Sequence, residues 1–218
     1  MPRPNFSFER AVLKRLPGAI VAGVDEAGCG PLAGPVVAAA VILDIKNTSL
    51  RLRRGLDDSK KLSPARREEF YGALFASDAA VIGIGQADVG EVDSLNILNA
   101  AHLAMARAVA SLKLRVTVAL VDGNRAPRLD CEVRTIIGGD AKSLSIAAAS
   151  IIAKVTRDRL MTGLARAHPG YGWESNMGYG TAAHCEAIER LGLTPHHRRS
   201  FAPVRSRLDR GSVQIDLI

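Results

Sequence analysis

The sequence predicts an α/β fold in which helices flank a mixed five-stranded β-sheet. Five short runs of apolar and β-branched residues are bounded by turn-forming residues, which is typical of buried strands. Longer segments with apolar residues at helical spacing lie between several of these runs, as expected for helices that pack on a sheet. The chain has 218 residues, of which 47% are hydrophobic and 23% charged. This is enough for one globular domain with a core of its own.

A tight loop joins the first two predicted strands. Residues 20–25 and 36–43 are apolar runs, and the intervening segment 28–35 contains three glycines and two prolines. Such a cluster interrupts both helices and strands. We therefore expect a strand, a short loop and a second strand.

The middle of the chain predicts a helix, a strand and a second helix. Ser63 suits an N-cap and Pro64 suits the first turn of a helix over residues 63–75. Residues 79–87 form the third predicted strand. Residues 91–112 carry apolar side chains at helical spacing and predict one long helix that faces the core.

The second half of the chain completes the sheet. Residues 115–122 and 132–137 are the fourth and fifth predicted strands. The alanine-rich segment 143–167 is predicted to be helical, and a shorter helix is expected at 181–191. After that helix the chain is basic and is expected to be irregular. Three residues of the helix predicted at 143–167 are expected to form an exposed basic face: Lys154, Arg157 and Arg159.

These elements divide the chain into three parts. Residues 1–17 form an N-terminal segment, residues 18–167 form the α/β domain, and residues 168–218 form a small C-terminal helical lobe with a basic tail. The sequence His-Pro-Gly at 168–170 and the glycine-rich stretch that follows mark the start of the lobe.

Composition and charge exclude several classes of protein. No run of apolar residues is long enough to span a membrane, and the N-terminus has no apolar signal core, so we expect a cytoplasmic protein. Three cysteines without close pairing predict reduced thiols and argue against a disulfide framework or a zinc site. The net charge of +7 and a pI near 9.7 favour a polyanionic partner. The positive charge is concentrated in three clusters: Arg51, Arg53 and Arg54; Lys60, Lys61, Arg66 and Arg67; and Arg198, Arg199, Arg205, Arg207 and Arg210.

Acidic residues recur where the predicted strands end. Asp25 and Glu26 close the first strand, Asp122 closes the fourth, and Asp140 follows the fifth after two glycines. Sites in α/β proteins assemble at the carboxyl ends of strands. Four carboxylates at one edge, without a neutralising lysine, would repel one another unless a cation lay between them. Asp25 and Glu26 are neighbours and would point to opposite faces of a regular strand. Both can reach one ion only if the strand has ended at this point, which is what we expect.

The chemistry of these residues favours magnesium or manganese. Oxygen ligands without a good Cys/His set select hard divalent cations over zinc. Carboxylates that hold two such ions about 3.5–4 Å apart are a recurring device for phosphodiester cleavage. In this interpretation Asp140, which follows a flexible Gly-Gly pair, is the mobile ligand or the ligand of the second ion.

Other site classes fit the sequence less well. The loop at Gly28, Gly30 and Ala33 matches a loose dinucleotide-binding fingerprint, with Asp44 as the ribose ligand. That fingerprint requires a helix to begin at the loop, whereas prolines and a strand follow here. Cys29 lies beside two acids, which would raise its pKa and disfavour a nucleophilic role. His184, Cys185, His196 and His197 lack metal-ligand spacing and are interpreted as packing or surface residues.

Several motifs in order resemble the signature of bacterial ribonuclease HII, a type 2 ribonuclease H family. The main motif is residues 21–36, VAGVDEAGCGPLAGPV. The resemblance covers about residues 18–204. The further motifs are DDSKKL at 57–62, VDGN at 121–124, GDAKS at 139–143, ASIIAKVTRD at 149–158, GYGT at 178–181 and HRRSF at 197–201.

This resemblance implies a ribonuclease H-like catalytic domain with a C-terminal helical extension. It also implies endonucleolytic cleavage of the RNA strand of RNA–DNA hybrids, and cleavage 5′ to single ribonucleotides embedded in duplex DNA. The expected cofactor is Mn²⁺ or Mg²⁺, the expected products carry 5′-phosphate and 3′-hydroxyl ends, and the expected state is a monomer. The family's metal-binding catalytic carboxylates correspond to Asp25, Glu26, Asp122 and Asp140.

The resemblance and the local chemistry also predict substrate-binding residues. The family's ribose-sensing glycine loop corresponds to Gly28, Cys29 and Gly30, and its 2′-hydroxyl-sensing tyrosine corresponds to Tyr179. The 2′-OH distinguishes RNA from DNA, and a glycine loop lets the backbone approach it. This chain departs from the family at Cys29, where arginine is usual. Six residues are expected to hold phosphates: Lys60, Lys61, Lys142, Ser143, Arg198 and Ser200.

Three alternative functions remain open at this point. A non-catalytic nucleic-acid-binding protein would use the same basic surface without cleaving. A dinucleotide-binding enzyme would use the glycine loop. A phosphatase acting on small esters would use the carboxylates but has no need for so much basic surface.

Overall fold

The computed structural model describes residues 3–213 and contains one five-stranded mixed sheet in the order β3-β2-β1-β4-β5. The side chains of residues 210–213 lie outside this description, and so does the predicted basic residue Arg210. β1 pairs with β2, and β2 with β3, in antiparallel fashion, whereas β4 runs parallel to both β1 and β5. This confirms the predicted mixed sheet. The strands are β1 Val21–Ala27, β2 Val36–Leu43, β3 Ala80–Ala87, β4 Val118–Asp122 and β5 Glu132–Ile136.

Helices lie before, between and after these strands. A single 3₁₀ turn, Gly139–Ala141, lies between β5 and the longest helix. The α-helices are α1 Ser7–Arg15, α2 Leu50–Gly55, α3 Pro64–Phe75, α4 Val89–Leu95, α5 Ile97–Ala110, α6 Leu144–Ala167, α7 Trp173–Asn176, α8 Ala182–Leu191 and α9 Ala202–Val213. Within residues 3–213, none of these helices has the length and apolar character needed to span a membrane.

The core has two layers of helix because alternate residues of the central strands face opposite sides. Ala39 and Val41 of β2 pack against α6 and α3, whereas Ala38 and Ala40 pack against α5. Small side chains allow α6 to approach the sheet closely. A Cβ at Gly23 would lie 2.1 Å from the backbone carbonyl carbon of Ser145, so any larger residue there would displace the helix.

The predicted long helix over residues 91–112 is wrong, because the structure divides it into α4 and α5. Asn96 between them has φ 68° and its side chain accepts a hydrogen bond from the backbone N–H of Asn99. Asp88 and Glu91 form a capping box at the start of α4. Both helices therefore begin with their own cap. Helical periodicity carries no signal of such a break, since both pieces keep apolar faces toward the sheet.

Two further predictions about basic residues are corrected. Arg157 is not part of an exposed face: it is buried, and its guanidinium donates to the backbone carbonyls of Ala33, Pro35 and Met177. The basic chain after residue 191 is not wholly irregular, because α9 forms within it. The proposed division into three parts stays a prediction, although Trp173 and the neighbouring helices α8 and α9 do share an apolar cluster.

The N-terminal segment packs at the junction between the 3₁₀ turn and α6. The backbone N–H of Asn5 donates to the carbonyl of Lys142 at 3.1 Å. Glu9 on α1 is buried, and its Oε1 accepts hydrogen bonds from Ser143 Oγ at 2.6 Å, Ser145 Oγ at 2.7 Å and Ser145 N at 3.0 Å. Ser143 is also the N-cap of α6. A carboxylate at this position is favoured by the helix dipole.

We predict that Glu9→Ala lowers the free energy of unfolding by about 2–3 kcal/mol, because it leaves three buried donors without their acceptor. Glu9→Gln keeps an accepting oxygen and should cost about 1 kcal/mol. Urea unfolding of both variants beside the unmodified chain measures these losses. Equal losses would mean that packing, and not the acceptor, is what Glu9 supplies.

Candidate active site at the strand ends

The four predicted carboxylates come together at one edge of the sheet. Asp25 and Glu26 lie on β1, Asp122 ends β4, and Asp140 lies in the 3₁₀ turn after β5. Because β1, β4 and β5 run in the same direction, their carboxyl ends share this edge. Asp25, Glu26 and Asp122 line an open cleft of about 460 Å³. Glu26 and Asp122 also border an adjoining hollow of about 290 Å³ against α5.

The expectation that the strand ends before Asp25 and Glu26 is wrong. β1 continues to Ala27 through its pairing with β2, but its pairing with β4 stops at Val24. The strand is therefore open on the β4 side where the acidic pair lies. Asp25 is buried and Glu26 is half-buried, and both line the cleft despite the alternation of a regular strand.

The backbone near β5 ties Asp122 to the segment that carries Asp140. Asp122 Oδ1 accepts a hydrogen bond from the Gly139 N–H at 2.6 Å, and Asp140 Oδ1 accepts one from the Ala141 N–H at 2.8 Å. The predicted Gly-Gly pair before Asp140 is thus held in place by the first of these contacts. Movement of Asp140 toward or away from the cleft stays a prediction.

Burial and mutual repulsion raise the pKa values of these acids. Burial, followed by the charges of Glu26, Asp122 and Asp140, raises the pKa of Asp25 well above its ordinary value. Burial and then Asp122 raise the pKa of Glu26. Burial, followed by the neighbouring carboxylate of Asp58, raises the pKa of Asp140 to about 6. Each shift means that the charged form is destabilised where it stands, which a bound cation would reverse.

Two lysines line the same cleft as the acids, Lys60 and Lys154, contrary to the expectation of none. Lys154 Nζ is paired with Asp158 Oδ1 at 2.7 Å. Partial burial alone would lower the pKa of Lys60, but the carboxylates of Asp58, Asp140, Asp25 and Asp122 together raise it. Because Lys154 already has its own carboxylate partner, the lysines offset only part of the charge of the four acids.

The donor set fits hard divalent cations. Its oxygens come from carboxylates, and neither histidine nor cysteine dominates it. Among residues 3–213, no group of three or more His, Cys, Asp or Glu side chains is already arranged to hold a metal ion. The acids border the cleft as an open set, which leaves room for water and substrate beside an ion.

The glycine loop is supported from below by Arg198. This side chain is fully buried and donates to the carbonyls of Gly28 at 2.7 Å, Cys29 at 3.2 Å, Pro31 at 2.8 Å and Gly34 at 2.8 and 2.9 Å. The predicted phosphate contact of Arg198 is therefore wrong, because its donors face loop carbonyls and not solvent. Arg198 instead fixes the path of the loop.

Cys29 faces Glu26 and is not a nucleophile. Its thiol donates to Glu26 Oε1 at 3.6 Å. Burial, followed by the charge of Glu26, raises the pKa of the Cys29 thiol to about 12. This agrees with the interpretation of Cys29 as a small loop residue.

Tyr179 lines the same cleft as the carboxylates and the glycine loop. Its side chain is 47% exposed, and its ring lies over Gly30, with Cε1 3.5 Å from the position of a Cβ there. The structure thus brings the predicted loop and the predicted tyrosine together beside the carboxylates.

The remaining predicted phosphate ligands fall into two groups. Lys60, Lys61 and Lys142 are exposed, as is Ser200, whose Oγ donates to Asp93 at 2.7 Å. Ser143 is fully buried in its cap and contacts Glu9, so its predicted phosphate contact is wrong.

The dinucleotide alternative is excluded by the local fold. The loop after Gly28 leads into β2, so no helix N-terminus is present there to receive a pyrophosphate. Asp44, its ribose ligand, instead accepts hydrogen bonds from the backbone of Lys46 and Asn47 in a turn.

Sequence reasoning missed three residues of this region. Asp58 belongs to the DDSKKL motif, but the sequence predicts no separate role for it, although it lies against Asp140. Arg157 was expected at the surface. His184 was interpreted only as a packing residue, although it contacts the backbone of Tyr179. Each role depends on contacts between distant parts of the chain, for which the local pattern has no signal.

Comparison with known protein families and sequences identifies ribonuclease HII in each case. A family model described as Ribonuclease HII matches residues 22–204. The chain is 56% identical to ribonuclease HII of Rhodospirillum rubrum over 210 residues, covering 96% of this chain and 94% of that protein. It is 60% identical to ribonuclease HII of Paramagnetospirillum magneticum over 187 residues, covering 86% and 92%.

Solved structures agree with the fold. The chain superposes on ribonuclease H2 from Pyrococcus horikoshii OT3 with a TM-score of 0.72 at 31% identity, covering 87% of this chain and 97% of that one. Bst-RNase HIII, solved in complex with Mn²⁺, gives a TM-score of 0.72 at 18% identity, covering 94% and 81%. At that identity the second likeness supports the fold alone.

We predict that Arg198→Lys lowers the free energy of unfolding by about 3 kcal/mol, because an ammonium group cannot satisfy the four loop carbonyls that the guanidinium reaches. Arg199→Lys is the matched control, since the Arg199 side chain is exposed and its backbone N–H makes the contact with Asp93. Chemical denaturation compares the two variants. A stable Arg198→Lys protein would contradict the supporting role.

Proposed function

This chain belongs to the ribonuclease HII family, and we propose that it cleaves the RNA strand of RNA–DNA hybrids, and DNA duplexes 5′ to a single ribonucleotide, at the four carboxylates of the cleft. It is a ribonuclease H endonuclease. The observation that carries the site assignment is the convergence of Asp25, Glu26, Asp122 and Asp140 at one sheet edge with pKa values raised in three of them. Such a cluster has no evident structural use.

The carboxylates bind divalent metal ions, Mg²⁺ or Mn²⁺, in this proposal. When bound, a pair of such ions lowers the pKa of a water molecule and stabilises charge on the phosphate and on the leaving oxygen. Asp25, Glu26 and Asp122 line the cleft and would hold one ion. Asp140, in the turn after β5, would hold the second ion. The products carry 5′-phosphate and 3′-hydroxyl ends.

The glycine loop and Tyr179 recognise the ribose. Arg198 donates hydrogen bonds to the carbonyls of Gly28 and Cys29. These contacts orient the peptide planes of the loop before substrate binds. Because Gly30 has no side chain, a sugar can rest on the loop backbone beside the Tyr179 ring. Contact with the 2′-OH at this point would distinguish RNA from DNA.

Exposed lysines hold the substrate backbone without reading its sequence. Lys60 lines the cleft. Lys61 follows it in the chain and is paired with Asp57 at 3.4 Å. Lys142 lies two residues after Asp140, and its Nζ donates to the Ile137 carbonyl at 2.6 Å. Ser200 is a weaker candidate, because its hydroxyl already donates to Asp93. The monomeric state and the cytoplasmic location stay predictions from the sequence.

A protein that merely binds nucleic acid is a poorer interpretation of this cleft. A surface built to attract phosphates gains nothing from four acids at its centre, since their charge opposes the phosphate charge. The phosphatase alternative does not use the loop and tyrosine that stand beside the acids.

We predict that Asp122→Asn abolishes cleavage and preserves folding and duplex binding. The asparagine oxygen can still accept from the Gly139 N–H, but the second oxygen becomes an NH₂ group that cannot bind a cation. Loss of several kcal/mol of transition-state stabilisation corresponds to at least a roughly thousandfold lower rate.

The measurement is cleavage of an end-labelled DNA duplex with one internal ribonucleotide, in Mg²⁺, in Mn²⁺ and in EDTA, with an all-DNA duplex as the substrate control. Asp130→Asn removes an exposed carboxylate away from the cleft and is the protein control. Normal turnover by Asp122→Asn would refute its assigned role.

We predict that Gly30→Ala separates ribose recognition from folding. Its Cβ would be in ordinary contact with the Tyr179 ring, so stability should be unchanged, but the methyl group fills space that the sugar needs. We expect kcat/KM for the single-ribonucleotide duplex to fall about tenfold or more, equivalent to ~1.4 kcal/mol. Steady-state kinetics beside a thermal melt tests this.

Cys29→Ala is the control within the same loop. It keeps the backbone that the loop presents and removes only the thiol, so its kcat/KM should stay within about threefold of the unmodified enzyme. Full activity of Gly30→Ala would mean that the sugar does not rest on the loop beside Tyr179.

A further inference from the structure

A buried group of aromatic and imidazole side chains lies directly behind Tyr179. Trp173, His184 and His197 are each almost completely inaccessible to solvent. Trp173 Nε1 is 2.9 Å from His184 Nε2, which is itself 3.2 Å from His197 Nε2. On its other side, His184 Nδ1 is 2.9 Å from the carbonyl oxygen of Tyr179. The group therefore connects the core of the C-terminal lobe to the backbone of the tyrosine at the cleft.

The partners fix the tautomer of each imidazole. The indole N–H of Trp173 can only donate, so His184 Nε2 accepts and carries no proton. The Tyr179 carbonyl can only accept, so His184 Nδ1 carries the proton and donates to it. The Thr194 backbone N–H donates to His197 Nδ1 at 3.0 Å, so His197 Nε2 holds its proton and donates to His184. Each histidine is thus neutral with its two nitrogens in different roles.

Burial agrees with these neutral forms. Burial lowers the pKa of His184 below its ordinary value. Burial, followed by the neighbouring His184, lowers the pKa of His197 to about 4. A protonated His184 would lose its acceptor for Trp173, so the neutral form is also the one that the hydrogen bonds require.

The backbone around Tyr179 needs such support. Met177 and Gly178 have φ values of 49° and 82°, and for Met177 this left-handed conformation is unfavourable. Arg157 donates to the Met177 carbonyl, and the Leu32 N–H donates to the Gly178 carbonyl. The next carbonyl, that of Tyr179, accepts from the Thr181 N–H at 2.8 Å, and among the described residues His184 is the side chain that contacts it.

We propose that His184 is a positioning residue that holds the Tyr179 backbone through its Nδ1–H and thereby sets the tyrosine ring against the ribose of the substrate. This inference rests on the proposed ribose contact of Tyr179. It assigns a role in substrate selection to a histidine that touches neither the substrate nor the metal ligands. Trp173 and His197 act on it by fixing its tautomer.

Two substitutions separate the two sides of the imidazole. In His184→Asn the amide NH₂ replaces Nδ1–H, so donation to Tyr179 survives while the acceptor for Trp173 is lost. In His184→Gln the longer side chain supplies an acceptor near Nε2, so the Trp173 contact survives while the Tyr179 contact is lost. Both remove the ring, so packing losses are similar. Tyr171→Phe is the lobe control, because it deletes one hydrogen bond, from Tyr171 Oη to the Gly192 carbonyl, that does not involve Tyr179.

The experiment measures kcat and KM on the single-ribonucleotide duplex, with melting temperatures of all variants. We expect His184→Gln to raise KM about tenfold with kcat changed less than about threefold, as one lost positioning hydrogen bond allows. His184→Asn and Tyr171→Phe should stay within about threefold of the unmodified enzyme in both parameters. In a Tyr179→Ala background, His184→Gln should have no further effect, because the residue it positions is gone.

A second readout does not depend on cleavage. In the Asp122→Asn background, affinity for the ribonucleotide duplex is compared with affinity for the all-DNA duplex. His184→Gln should lower this preference about tenfold, and His184→Asn should keep it. Equal behaviour of the Gln and Asn variants, or an effect of His184→Gln that adds to that of Tyr179→Ala, overturns the proposal. Failure of the unmodified enzyme to cut the duplex with any metal overturns instead the proposed function, and the binding preference still decides the role of His184.

Discussion

The structure depends on holding several like charges together at the edge of a sheet. Asp25 is buried, and its pKa is raised by burial and by the three acids around it. A fold that tolerates this must hold the strand ends rigidly, since relaxation would let the acids move apart. The close packing of α6 on β1, which requires glycine at position 23, and the Gly139 contact of Asp122 both limit that relaxation. The apolar core directly beneath the acids thus offsets the unfavourable free energy of their mutual repulsion.

A second constraint is the need to satisfy the carbonyls of the loop after β1. The loop turns sharply and cannot pair them within a sheet or helix. Arg157 from α6 and Arg198 from the C-terminal lobe reach the loop from two directions and donate to six of its carbonyls between Gly28 and Pro35. Burial lowers the pKa of Arg198 to about 10, which still leaves it charged near neutral pH. The C-terminal part of the chain is therefore attached to the loop that borders the cleft.

Sequence patterns predicted the elements whose signals are local. The strand at 36–43 is a continuous apolar run, and the helix at 64–75 has an N-cap and a proline at its first turn. Both formed as expected. The break at Asn96 escaped, because periodicity continues across it. The acids were found because carboxylates recur at the ends of three predicted strands, which place them at one edge of the sheet. Arg157 and Arg198 were misjudged because their charge suggests solvent, whereas their actual partners are carbonyls that are distant in sequence.

The same arginines hold the backbone of the loop in place around Cys29. A long basic side chain at this point would extend toward the cleft, whereas the thiol turns toward Glu26 and packs against the cluster beneath α5. The positive charge near the loop does not then have to come from residue 29. Two guanidinium groups already lie below the loop, where the low dielectric extends the reach of their charge. The carbonyls that they hold determine the shape of the loop, so a substitution at position 29 changes the side chain without changing the surface that the backbone presents.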